Sequence, residues 1–149
     1  YAPPALKNNT VRIKVVNDNL LEKLTEFVDN WTDKDEQGKV EVLAIITPTN
    51  RYSVKEYQDI SDKINDYANP LNLAVLDDHP KHVEQIGTLV FNFGKSALML
   101  LARLDALNSG ASSLAKNTNY YKNWPKNYLE WVTLWRFKKI PEEFKKYID

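Results

Sequence analysis

Apolar side chains recur along this chain with two periods, and the switches between them mark its elements. Val11, Ile13 and Val15 alternate with Arg12 and Lys14, a period of two that predicts a strand with one wet face. Leu20, Leu21, Leu24, Phe27, Val28 and Trp31 then recur at one-turn spacing, behind an Asn19/Glu22 pair with the spacing of a capping box. A polar stretch at 32–38 ends in Gly38, and residues 40–46 form a run apolar on both faces, the pattern of a central strand. Ser53 and Glu56 make a second capping box. They open a helix carrying Val54, Tyr57, Ile60, Ile64 and Tyr67, which Asn69-Pro70 stops. Leu71, Leu73, Val75 and Leu76 predict a third strand, ending at Asp77-Asp78-His79-Pro80.

Residues 81–107 admit two patterns. Ile86, Leu89, Phe93, Ala97, Leu100, Leu101, Leu104 and Leu107 fall on one helical stripe, which favours a long helix, although Gly87 and Gly94 weaken it; the alternative makes 89–93 a fourth strand. Asn108-Ser109-Gly110 reads as a helix stop and 110–123 as a long loop. A last helix is expected from Pro125 to about Lys139, with a short turn around Phe144 and Tyr147. Strands alternating with helices predict an α/β fold: a small, mainly parallel, three- to four-stranded sheet with flanking helices and a helical C-terminal third. An α+β arrangement is the alternative. The chain, 1–149, is expected to be one globular domain with an extended lead-in over 1–9.

Composition sharpens this only in places. Twenty basic residues balance twenty acidic ones, so no global field favours a polyanion, yet the segment from Gly110 onward carries +4 and the remainder −4. Without cysteine, disulfides, thiolate metal sites and thiol nucleophiles are excluded. The longest apolar run, 97–102, falls far short of the roughly 20 residues that span a bilayer, so no transmembrane segment is expected. Localisation stays open.

If the strands are parallel, ligands belong at their carboxyl ends. Asp18, Arg51, Asp77, Asp78 and His79 collect there. Carboxylates and an imidazole with an arginine would suit a metal-dependent phosphate-ester hydrolase. The same residue types also cap helices and shape turns, which accounts for them without a ligand. His79 and His82 match no zinc spacing, and Gly94-Lys95-Ser96 lacks the upstream glycine of a phosphate loop.

The C-terminal segment is the other unusual feature. Residues 120–147 hold nine of the seventeen aromatics, and Trp124, Tyr128, Trp131 and Trp135 are spaced by four, three and four, on one face of the last helix. Lys138 and Lys139 follow. Such a face either packs on the core or meets a partner. The leading expectation is therefore a non-enzymatic binding or assembly domain. It would contact a protein partner, or a second copy of itself, through Trp124, Tyr128, Trp131, Trp135, Lys138 and Lys139, with no cofactor. The strand-end hydrolase and single-stranded nucleic-acid binding are the alternatives, the latter disfavoured by zero net charge.

Overall fold

The computed structural model describes residues 9–79, 84–86, 89–91 and 96–148. These divide into two compact units, one built from 9–79 and 96–104, the other from 84–86, 89–91 and 105–148. Of the expected lead-in over 1–9, residues 1–8 lie outside the described residues.

The first unit contains β1 (Val11–Val15), α1 (Leu20–Asp29), the two-residue strands β2 (Lys34–Asp35) and β3 (Gly38–Lys39), β4 (Val42–Thr47), α2 (Val54–Ala68) and β5 (Leu73–Asp78). In the second, β6 (Glu84–Ile86) and β7 (Leu89–Phe91) pair antiparallel. The strand β8 (Ala97–Arg103) completes the sheet of the first unit, and α3 (Leu104–Asn117), α4 (Lys126–Phe137) and α5 (Glu142–Ile148) follow it.

The four-stranded sheet has the order β1-β4-β8-β5 and is mixed, not mainly parallel. β1 runs parallel to β4, while β8 is antiparallel to both β4 and β5. The three strands expected from the sequence, β1, β4 and β5, do point the same way, but β8 lies between two of them. Its sequence explains the insertion: Ala97, Met99 and Leu101 are buried on one face and Ala102 on the other, so both faces need cover, which a central strand has. This two-sided apolar run also accounts for the failure of the long helix expected over 81–107, since a continuous apolar run cannot be told from a buried helix by period. The helix begins only at Leu104, and Leu89–Phe91 is a strand.

One face of the sheet is covered by α1 and α2. Leu20, Leu24 and Val28 of α1 and Tyr57, Ile64 and Ala68 of α2 pack with Ile45, Leu73, Val75, Met99 and Leu101. Each fully buried leucine there contributes about 1.5–3 kcal/mol relative to exposure. α2 starts as its sequence predicts: the Ser53 hydroxyl accepts from the Glu56 amide at 3.1 Å and Glu56 Oε1 accepts from the Ser53 amide at 3.1 Å, a cap worth about 1 kcal/mol. The Asn19 capping box does not form. Asn19 adopts φ 56°, a left-handed conformation rather than the extended one of an N-cap, and makes no side-chain cap bond; the Leu20 amide donates instead to the Tyr52 hydroxyl at 3.2 Å.

β1 does not bury the apolar face its alternation predicts; only Arg12 is covered, and Lys14 is exposed as expected. Ile13 and Val15 are 63% and 67% exposed, while Arg12 is only 8% exposed. Pairing Ile13 with Ala44 and Val15 with Ile46 puts the apolar side chains on the face away from the helices, at the sheet's outer edge. Arg12 points the other way and meets the β2-β3 hairpin. There its Nε and Nη2 donate to Asp35 Oδ2 and Oδ1 at 2.6 and 2.8 Å. The expected polar loop at 32–38 is thus partly a ladder, closed where Gly38 takes φ 116°.

In the second unit, Ala111 and Ala115 of α3, Tyr121, Leu129 of α4 and Phe144 of α5 form the core. The loop expected over 110–123 is helical as far as Asn117. Ala111 and Ala115, one turn apart, give α3 a buried stripe past Gly110, and Asn108 donates to the Arg136 carbonyl at 3.0 Å rather than ending the helix. Among the described residues no helix is long and apolar enough to cross a membrane.

Candidate functional site

Because β1, β4 and β5 share a direction, their carboxyl ends meet at one end of the sheet. The five residues expected there separate into distinct roles. Arg51 Nε donates to Asp18 Oδ1 at 2.8 Å, joining the segments after β4 and β1 in an exposed ion pair. Asp77 and Asp78 are consecutive in a strand and therefore project to opposite faces. Asp77 faces α2, where it accepts from the Ser61 hydroxyl at 3.2 Å. His79 is buried; its ring lies edge-on to Tyr57 at 5.4 Å, and its Nε2 donates to the Tyr52 carbonyl at 3.0 Å. Among the described residues no group of three or more His, Asp or Glu is placed to hold a metal ion.

Tyr57, Ser61 and Tyr52 join this end of the sheet without any motif to mark them. Their one sequence signal is Ser61, a polar residue four positions after Tyr57 on the buried stripe of α2. The Tyr57 hydroxyl is fully buried and has no hydrogen-bond partner among the described residues. Burial, reinforced by the charges of Asp77 and Asp78, raises its pKa well above the usual phenol range.

The aromatic residues of the C-terminal segment form a continuous ladder. Tyr121 meets Trp124 at 4.9 Å, Trp124 meets Tyr128 at 5.6 Å, Tyr128 meets Trp131 at 6.0 Å, and Trp131 stacks on Trp135 at 6.4 Å. This ladder is not the stripe by which α4 packs. Leu129 and Thr133 are the buried residues of α4, and Trp131 is 60% exposed, with Leu134 exposed beside it. At about 100° per residue, Tyr128, Trp131 and Trp135 lie together on a flank of the helix, about a quarter to a half turn from Leu129. Trp124, Tyr128 and Trp135 are half-buried. Lys138 ends the helix at φ 64° with its Nζ on the Trp135 carbonyl at 3.3 Å, and Lys139 is exposed.

Arg136 stands between the buried stripe and the ladder. It follows Leu129 by seven and Thr133 by three, so it continues the core-facing row, and its guanidinium lies 5.9 Å from the Trp135 ring. Its Nε is buried without a hydrogen-bond partner among the described residues, and burial lowers its pKa while the phenols of Tyr121, Tyr128 and Tyr120 act on it electrostatically. The Tyr121 hydroxyl is itself pushed up to about 12 by burial. A cation on a core-facing row is the signal by which sequence could have singled out Arg136.

No protein-family model, curated protein or solved structure matches this chain. Its residues and their geometry are therefore the basis for a functional reading.

Proposed function

We propose that this chain is a non-enzymatic binding or assembly domain that takes a protein partner on the aromatic flank of α4. The observation that carries this reading is Trp131: a tryptophan 60% exposed, in register with Trp135 and next to exposed Leu134, on a helix whose core contacts are made by other residues. Large aromatic side chains at a surface supply much apolar area for little conformational entropy, and they dominate the energetics of protein interfaces. Lys138 and Lys139 continue the surface as a basic rim.

The reading is tested by selecting peptides from a random 12-residue library on the immobilised chain, then measuring the affinity of the resynthesised peptides for wild type and for Trp131→Ala/Trp135→Ala. The expected result is a loss of at least about tenfold, since hot-spot aromatics each contribute 2 kcal/mol or more. Selected peptides that bind the double variant as tightly as wild type, with the variant folded, would remove the reading. Binding of oligonucleotides that weakens steeply with salt would favour the nucleic-acid alternative instead.

A further inference from the structure

The four arginines of this chain do not share one environment. Arg12 holds Asp35, Arg51 holds Asp18 and Arg103 holds Asp33, each through nitrogen–oxygen contacts of 2.8 Å or less. Arg136 pairs with no carboxylate among the described residues, although its Nε is buried. A guanidinium does not shed its proton in a protein, so burial cannot neutralise it as it would a carboxyl group. Arg136 as a whole is half-buried, so its charge is partly withdrawn from water and, among the described residues, has no carboxylate to offset that. The Trp135 ring at 5.9 Å compensates only in part.

We infer that Arg136 is an anion receptor on the α4 surface, and that the partner it fits is an acidic peptide segment whose Asp or Glu carboxylate it binds beside an apolar side chain laid on Trp131 and Trp135. This rests on the protein-binding reading above and gives that partner its chemistry. Charge complementarity supports it at two scales. Locally, a guanidinium with no carboxylate among the described residues offers the planar fork that carboxylates accept. Regionally, the chain from Gly110 onward carries +4, and Lys138 and Lys139 extend the positive surface beyond Arg136. An isolated small anion would use the guanidinium and leave the exposed Trp131 and Leu134 uncovered. A peptide covers both.

The arginine side-chain region of an NMR spectrum of the whole 15N-labelled chain reads this directly, because four arginines give four Nε–H signals and Arg136→Lys identifies one by its loss. The probes are capped pentapeptides Glu-X-Glu-X-Glu with X Leu or Phe, the same peptides with Gln for Glu, and inorganic phosphate. The expected result is a saturable shift of the Arg136 Nε–H and of the Trp131 and Trp135 indole N–H with the Glu peptides. The Gln peptides should bind at least about tenfold more weakly, as should the Glu peptides to Arg136→Lys.

Arg136→Met, which removes the charge, should melt no lower than wild type without peptide. It should also lose the rise in melting temperature that the Glu peptides give wild type. If Trp131→Ala abolishes peptide binding while Arg136→Lys and Arg136→Met leave it unchanged, the carboxylate assignment falls and the protein-binding reading survives. If phosphate moves the Arg136 signal while the Glu peptides move neither it nor the indoles, the site is for small anions and the peptide assignment is overturned. Absence of any shift with any probe overturns the receptor itself.

Discussion

Trp131 and Trp135 stack with ring centroids 6.4 Å apart and planes inclined by 16°, yet Trp131 keeps 60% of its surface exposed. A stacked pair on a helix flank removes less apolar surface from water than burial in the core would, so Trp131 adds little to the stability of α4. Replacing Trp131 by Ala should therefore change unfolding free energy by no more than about 0.5 kcal/mol. Acrylamide quenching checks the exposure: Trp131→Phe should remove the most readily quenched part of the tryptophan emission. Unchanged quenching would mean that the ring is covered in solution.

At the other end of the chain, the Arg12 guanidinium holds the Asp35 carboxyl down to about 2, from an ordinary 3.8, chiefly through its hydrogen bonds. A folded-state pKa below the unfolded value contributes stability that is fully present above about pH 4 and is lost as pH falls towards 2. Titration of the Asp35 side-chain carbon signal should show a midpoint near the lower value in wild type and near the ordinary value in Arg12→Leu. A wild-type midpoint close to 4 would contradict the pairing.

Tyr57→Phe is expected to leave stability unchanged or to raise it by up to about 1 kcal/mol, because the hydroxyl it removes is buried without a hydrogen-bond partner among the described residues. Tyr57→Ala, which also empties the space of the ring beneath α2, should cost about 3–5 kcal/mol. Urea unfolding of the two variants separates the polar and packing contributions. A loss in Tyr57→Phe comparable to that of a hydrogen-bonded tyrosine would show that the hydroxyl has a partner.

Lys138 closes α4 at φ 64°, a conformation that costs an L residue about 1–2 kcal/mol and glycine almost nothing. Lys138→Gly should accordingly stabilise the chain by up to about 1 kcal/mol, and Lys138→Val should destabilise it. Thermal unfolding checks both signs at once.

Wherever local periodicity was unambiguous, the elements were legible in the sequence. The Ser53 capping box, the Asn69-Pro70 stop and the helix after Pro125 all fall where the pattern places them, and the third strand lies two residues later than expected, at Leu73–Asp78 instead of 71–76. These are short-range effects, decided by hydrogen bonds within one turn or by the alternation of neighbouring side chains. The aromatic spacing of three and four likewise determines that Tyr128, Trp131 and Trp135 share a flank, whereas Trp124, expected on the same face, precedes α4.

Tertiary structure alone decided what required a distant partner. The run 97–102 has no period that separates strand from helix, and it became β8 because β4 and β5 supply ladders on both of its sides. The same insertion made the sheet mixed. Arg12 is the covered residue of β1 because Asp35, 23 positions away, meets it across the hairpin. On α4, spacing places the aromatic residues on one side but does not say which side faces the core. Leu129 and Thr133 took the core, leaving Trp131 in solvent and Arg136 at the boundary without a carboxylate among the described residues. Period is a property of neighbours in sequence, whereas burial and charge pairing belong to groups that meet only after folding.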